Sequence, residues 1–371
     1  MDSEHIDAEL VRALDTEVYT VPTDQPEGDG TLAWSATTPV VVRVRSGGVE
    51  GPGWSYTGAA ARGVVDDRLA GIVVGSDPLD VPRTHESMAS SVRNDGRPGM
   101  ASCAISAVDI ALWDLKARLL GLPLARLWGR ARHDVPLYGS GGFTTYDDRT
   151  TRQQVEGWLQ RGMSRVKIKI GESWGADTGR DLQRVGLVRR VVGDDVEVFV
   201  DANGAYTRKQ AVRMGRRMAA GYGVVWFEEP VSSDDRAGLR GVRDACEVDV
   251  AAGEYGYMPA YFASLIADGA VDCVQADVTR CGGFTDWLRV AGLAAAHNLQ
   301  ISGHCAPNLH AHVAVACPNL AHVEYFHDHV RIEQLLFDGA LEAGGGVLVP
   351  GSEPGHGLVL KAADAAGYRT A

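Results

Sequence analysis

This chain of 371 residues contains no run of about eighteen apolar residues, so no segment reads as a transmembrane helix. It has no surplus of positive charge either: 36 Lys and Arg stand against 48 Asp and Glu, a net charge of −12. That balance argues against nucleic acid or an anionic membrane as partner. It does not forbid an anionic substrate, because a metal and local lysines can set the field inside a pocket. The cysteines Cys103, Cys246, Cys273, Cys281, Cys305 and Cys317 include no C-x-x-C pair. Such scattered thiols are expected to be reduced, mostly buried and cytoplasmic. The opening MDSEHIDAEL is acidic and lacks an apolar stretch, so no secretory signal is expected there. Low-complexity segments are absent.

What the sequence does contain is a spacing. Asp201, Glu228, Glu254, Asp277, His304 and Glu324 follow one another at intervals of 27, 26, 23, 27 and 20 residues. Each sits at or just past the end of a short apolar run, at 196–200, 224–227, 248–251, 271–276, 299–302 and 322–323. The interval matches one strand–loop–helix–loop unit. A barrel of such units points the C-terminal ends of all its strands at one mouth. Residues more than a hundred positions apart could therefore meet in one pocket.

The β–α alternation starts at Val135, with strands expected near 135, 166, 198, 226, 250, 274, 301 and 323. Eight favours a closed barrel over an open sheet. Thr207 is expected to cap the helix after the third strand, with Gln210 as its capping-box partner. The first part of the chain reads differently. A β-rich run spans 38–45 (TPVVVRVR), and loops are expected at 20–30 (TVPTDQPEGDG) and at 51–58 (GPGWSYTG). Residues 102–120 read as a helix with a broad apolar face, ended by Gly121 and Pro123.

Taken singly, an acid at a strand end is more often a solvated loop residue or a helix cap. Asp201, Glu228 and Glu254 end three consecutive strands, and three converging carboxylates repel one another unless a cation neutralises them. All-oxygen ligation suits a hard divalent ion, Mg²⁺ before Zn²⁺. Lys167 and Lys169 share one face of a strand, by its period of two. Both faces of a parallel barrel strand should be covered, which weighs against a solvated edge. The lysines then read as general-base candidates, their pKa lowered towards neutrality by a neighbouring ammonium and a metal. Asp277 and His304 end neighbouring strands, where a carboxylate could fix the imidazole tautomer. His310, His312, His322, His327 and His329 carry no assignment. Glu324 could be a surface acid, or could meet a substrate oxygen that gains charge in the transition state.

These residues, in this order, resemble the enolase superfamily, and within it the mandelate racemase-like group. The matching stretches are VKIKIG (166–171), VDANGAY (200–206), WFEEP (226–230), AAGE (251–254), QADVTRCGG (275–283), ISGHC (301–305) and VEYF (323–326), with AISAVDIALWDLKAR (104–118) ahead of them. The resemblance implies an α/β fold: a modified (β/α)7β TIM-like barrel under an α+β capping domain. The expected division is 1–125 for the cap, 126–350 for the barrel and 351–371 for a tail returning to the cap. By the same resemblance Asp201, Glu228 and Glu254 bind Mg²⁺, and Glu229 does not. Lys169 is the base on one face of the substrate with Lys167 beside it, and Asp277 and His304 form the dyad on the other. Asn203 and Glu324 contact substrate, and the loops at 20–30 and 51–58 close over the pocket, bringing Trp54 and Tyr56 to it.

The implied chemistry is removal of the proton α to a carboxylate, through an enediolate. The leading expectation is dehydration of an acid sugar to a 2-keto-3-deoxy acid. The alternative is racemisation or epimerisation of a 2-hydroxy acid through the same intermediate. Asp277 stands where the muconate-lactonising and dipeptide-epimerase branch carries a lysine, and Arg280 and Cys281 depart from the racemase itself. A non-catalytic barrel is disfavoured because every chemical position is filled. A small carboxylate is the expected partner, and the group implies a homo-oligomer, dimer or octamer.

Overall fold

The structure, a computed structural model, describes residues 9–371, so most of the acidic opening stretch lies outside the described residues. The chain begins with five strands: β1 (Ala13–Val18), β2 (Val21–Gly28), β3 (Ala33–Thr37), β4 (Pro39–Ser46) and β5 (Val49–Tyr56). β1, β4 and β5 form an antiparallel sheet in that order, while β2 and β3 pair as a separate hairpin. Val40, Val41, Val42 and Val44 are buried on both faces of β4. The helix Met100–Leu119 lies against this sheet, and sixteen of its twenty residues are buried.

The segment expected to be a second loop, 51–58, is mostly strand. β5 runs in unbroken register with β4 from Pro39↔Tyr56 to Ser46↔Val49. Its glycines serve close approach rather than turning. A Cβ on Gly51 would stand 2.5 Å from the Ala111 carbonyl oxygen, and one on Gly53 would clash with the Ala107 carbonyl. The strand can lie this near the helix only without side chains there. The segment 20–30 is likewise mostly β2, its pairing with β3 interrupted between Pro22 and Glu27. Pro22 and Pro26 cannot donate to a ladder, which accounts for the irregular edge.

Eight parallel strands follow: β6 (Val135–Gly141), β7 (Arg165–Lys169), β8 (Glu197–Asp201), β9 (Val224–Glu228), β10 (Asp249–Ala252), β11 (Cys273–Ala276), β12 (Gln300–Gly303) and β13 (Leu320–Phe326). Each neighbours the next, and β13 pairs with β6 from Val323↔Leu137 to Phe326↔Ser140, which closes the barrel. The expected architecture of a TIM-like barrel under an N-terminal cap is the architecture found. The expected capping box is not: Thr207 makes no side-chain cap, and the Gln210 amide donates instead to the Gly175 carbonyl.

Low in the barrel, Tyr138, Phe199, Trp226, Ala251 and Cys273 form a closed apolar floor, with Phe199 and Trp226 stacked at 5.1 Å. This floor keeps water from reaching the strand ends from below. The last residues run back to the cap: the Val18 amide donates to the Ala371 carbonyl and the Thr20 amide to that of Tyr368, each at 2.8 Å. No disulfide forms, and no helix among the described residues is long and apolar enough to cross a membrane.

Candidate active site

Strand register places the polar residues side by side at the barrel's C-terminal mouth. Lys169 pairs with Asp201, and Asp201 with Glu228, across β7, β8 and β9. Ala276 pairs with Gly303, so the next residues, Asp277 and His304, emerge together. Glu324 pairs with Tyr138 on the closing edge. All of these side chains are buried.

Lys167 lies 2.6 Å from Glu228, 2.8 Å from Glu324 and 3.6 Å from Asp201, above the Tyr138 ring. Lys169 donates to Asp201 Oδ2. The expected lowering of the lysine pKa calls on a metal's charge as well as the neighbouring ammonium; the protein's own groups act the other way. Burial alone would lower both, but the facing carboxylates outweigh it and hold both well above the ordinary lysine value. Lys169 can act as a base only once something other than its own ammonium balances Asp201. Glu228 is pushed up to about 8 by burial and then by Asp201, despite the lysines.

Asp277 and His304 form a hydrogen-bonded pair, Nδ1 to Oδ2 at 2.9 Å. The other carboxylate oxygen of Asp277 accepts from the Thr279 amide and hydroxyl, both at 2.7 Å. Burial would lower the His304 pKa, but the surrounding Cys305, Glu254 and Glu324, with the Asp277 hydrogen bond, hold it well above the ordinary value. Burial would raise Asp277, yet its bond to His304 keeps it ionised. His304 is thus biased towards its protonated form and oriented by a carboxylate, with Nε2 3.3 Å from Glu254. Glu324 is also held ionised, against its burial, chiefly by Lys167. It accepts from Ser140 Oγ at 2.5 Å and the Cys305 amide at 3.1 Å.

The donors for a metal can be tested on their own chemistry. Asp201, Glu228 and Glu254 offer oxygen only, as a hard divalent cation requires. Oε2 of Glu254 is buried without a hydrogen-bond partner, its contact with His304 being poorly aligned. Oδ1 of Asn203 is likewise unpartnered, and Asn203 sits at φ 44°, a backbone conformation that asparagine tolerates better than most residues. Glu228, Glu254 and His304 also bring ligand atoms within 4.8 Å of one another. These residues fit a hard divalent ion.

A cavity of about 340 Å³ opens above this layer. Lys169, Asn203, Glu254, His304 and Tyr56 border it directly, while Lys167, Asp201, Glu228, Asp277 and Glu324 lie beneath. Trp54 does not reach it. It is fully buried in β5 and stacks on Phe337 at 4.4 Å, so it joins cap to C-terminal segment rather than touching a ligand. Tyr56, two residues on and on the same face of β5, stacks on His329 at 3.5 Å and lines the cavity wall.

Sequence reasoning missed much of the rim. The hairpin supplies Asp29, Leu32, Trp34 and Thr37, and β11's loop supplies Arg280, 3.5 Å from both Glu254 and Asp277. Glu229, passed over as a non-ligand, is 1% exposed at φ 37° with Oε1 unpartnered. Asp29 lies in the 20–30 segment expected to close over the pocket, and Leu32, Trp34 and Thr37 fall just past it.

Comparison with known proteins agrees with this geometry. Residues 16–129 match the mandelate racemase/muconate lactonizing enzyme N-terminal domain, and residues 150–365 match the enolase C-terminal domain-like family. A mandelate racemase/muconate lactonizing enzyme-like protein from Rubrobacter xylanophilus superposes with a TM-score of 0.94 at 48% identity, over 97% of this chain and 100% of that one. L-talarate/galactarate dehydratase of Salmonella typhimurium LT2 is 33% identical over 86% of this chain and 80% of its own length. Its crystal structure, liganded with Mg and L-lyxarohydroxamate, superposes with a TM-score of 0.90 at 28% identity, covering 100% of this chain and 95% of that one. A 3,6-anhydro-alpha-L-galactonate cycloisomerase of Streptomyces coelicolor is 31% identical over 95% of this chain and 97% of its own. Two family matches spanning most of the sequence, over a barrel that gathers the same strand-end residues, place this chain in the mandelate racemase/muconate lactonizing enzyme family.

Proposed function

We propose that this protein is a Mg²⁺-dependent dehydratase of an acid sugar. One observation carries the reading: two basic side chains, Lys169 on β7 and the Asp277-supported His304 at the end of β12, border one cavity, and the strands between them, β8, β9 and β10, carry the three carboxylates. Asp201, Glu228 and Glu254 would hold the metal. A divalent cation there supplies positive charge against the negative charge that grows on the substrate carboxylate. The magnesium in the Salmonella dehydratase structure and that enzyme's dehydratase activity support the assignment.

Lys169 takes the proton from the carbon α to the carboxylate, and the electron pair moves into the carboxylate. The pair then returns to form the Cα–Cβ double bond as the β-hydroxyl leaves. His304, whose pKa the surrounding acids hold above the ordinary value, gives that hydroxyl its proton, so water departs and an enol remains. The enol tautomerises to the 2-keto-3-deoxy acid. Asp277 keeps His304 protonated and oriented. Asn203 and Tyr56, which border the cavity, would meet the substrate's oxygens, while Glu324 beneath them holds Lys167 and the Cys305 amide.

Racemisation or epimerisation would use the same two residues, with His304 returning a proton to Cα instead. Replacing His304 by Asn tests the assigned role. Dehydration should vanish while Mg²⁺ binding, read by calorimetry, persists. Substantial residual dehydration would remove His304 from the mechanism. Six unpaired cysteines support a cytoplasmic setting.

A further inference from the structure

The cavity has two unlike ends. Its inner end holds Lys169, Arg280 and His304, the cations that border it among the described residues, apart from the ring of His329. Each is already engaged with Asp201, Glu254 or Asp277, and Arg280 also lies over the Tyr255 ring at 5.6 Å. The outer end is built by the β2–β3 hairpin and by the turn from β13 into the helix His327–Leu336. It presents Leu32, Trp34, Phe326 and the stacked Tyr56 and His329. His329 is neutral: Nδ1 accepts from the Ala306 amide at 3.3 Å, the ring lies between Tyr56 and Phe326, and burial holds its pKa down at about 3.

One carboxylate borders that outer wall directly. Asp29 borders the cavity at the hairpin tip. Behind it, Trp34 Nε1 donates to Glu27 at 3.0 Å and the Thr37 hydroxyl donates to Asp328; burial and then Asp328 push Glu27 up to about 9, so it adds no negative charge near neutral pH. The nearby cations do not border the cavity. His327 is paired with Asp24 at 2.9 Å, and Arg331 donates to Asp328 and to the Pro22 carbonyl. A carboxylate pressed here would lose its hydration, gain no countercharge from the described residues and face like charge. A neutral hydroxymethyl end meets neither penalty.

We propose that the substrate is a monocarboxylate with a neutral, hydroxylated far end, an aldonate rather than an aldarate. This rests on the dehydratase reading and separates the chain from its Salmonella relative, whose named substrates are dicarboxylates. Leu32 and Trp34 would then set specificity at the far end.

The test measures kcat/KM for the Mg²⁺-loaded protein on five- and six-carbon aldonates, each against the aldarate of matching configuration. Aldonates should be favoured by about a hundredfold, the effect of one uncompensated charge in a partly dry site. Leu32→Arg adds a cation at the outer wall, at a position 66% exposed and so tolerant of the change. It should shift the ratio towards aldarates by about tenfold. Equal or preferred turnover of aldarates by the unmodified protein would overturn the inference and leave the dehydratase reading standing. A ratio unmoved in Leu32→Arg would overturn its electrostatic basis. Turnover of neither series would overturn both.

Discussion

Asp277 and His304 lie one residue beyond a paired Ala276 and Gly303, and their side chains meet at 2.9 Å. Strand register alone brings them together, with no loop rearrangement needed. The Thr279 bonds fix the carboxylate from the other side. Asp277→Asn keeps the shape and removes the charge. It should lower kcat by about 10–100-fold with KM and Mg²⁺ affinity nearly unchanged. Steady-state kinetics with calorimetry checks this, and an unaltered kcat would contradict the orienting role.

Lys167 is fully buried among Glu228, Glu324 and Asp201. Lys167→Met leaves those carboxylates without their nearest cation. The metal-free protein should lose about 3–5 kcal/mol, because an unpaired buried charge costs that much. Urea unfolding with an unchanged m-value is the measurement. A loss below about 1 kcal/mol would mean that the carboxylates take up protons or find other partners.

His85 joins cap to barrel, with Nδ1 3.1 Å from Asp109 and Nε2 3.3 Å from Asp286. Burial would lower its pKa, but the two aspartates outweigh burial and push it up to about 9. The folded value exceeds the unfolded one, near 6.5. Its stabilisation is therefore complete below about pH 6.5 and is lost as pH rises towards 9, a change of about 3 kcal/mol. Denaturant unfolding between pH 6 and 10 should display that decline, and His85→Gln should flatten it.

Gly53 allows β5 to touch the helix Met100–Leu119, where any Cβ would meet backbone atoms of Ala107 and Ala111. Gly53→Ala should cost about 1–3 kcal/mol through overpacking. Gly63 has open space around a Cβ and serves as the control, where alanine should be neutral or slightly stabilising. Thermal melts of the two variants decide the matter.

How much of this was legible beforehand depends on where the information sits. Asp201, Glu254 and His304 were legible because a parallel barrel converts a repeating interval into a shared mouth. The eight strand positions followed from the same alternation. Trp54 misled because glycine beside an aromatic reads as a loop. Gly51 and Gly53 instead permit close contact with a helix more than fifty residues away, which local sequence cannot express. The rim escaped for the same reason: Thr37 is placed by Asp328, 291 residues distant. The carboxylates that surround each lysine ammonium were also out of reach, since they are brought together only by strand register in space.

The most direct test of the central claim is proton NMR in D₂O, with and without Mg²⁺, across a panel of acid sugars and 2-hydroxy acids. The account predicts Mg²⁺-dependent loss of one acid sugar with growth of a monodeuterated C3 methylene signal. Exchange of the α-proton with the carbon skeleton intact would contradict dehydration and assign a racemase or epimerase, and no exchange in any acid would contradict α-proton abstraction itself.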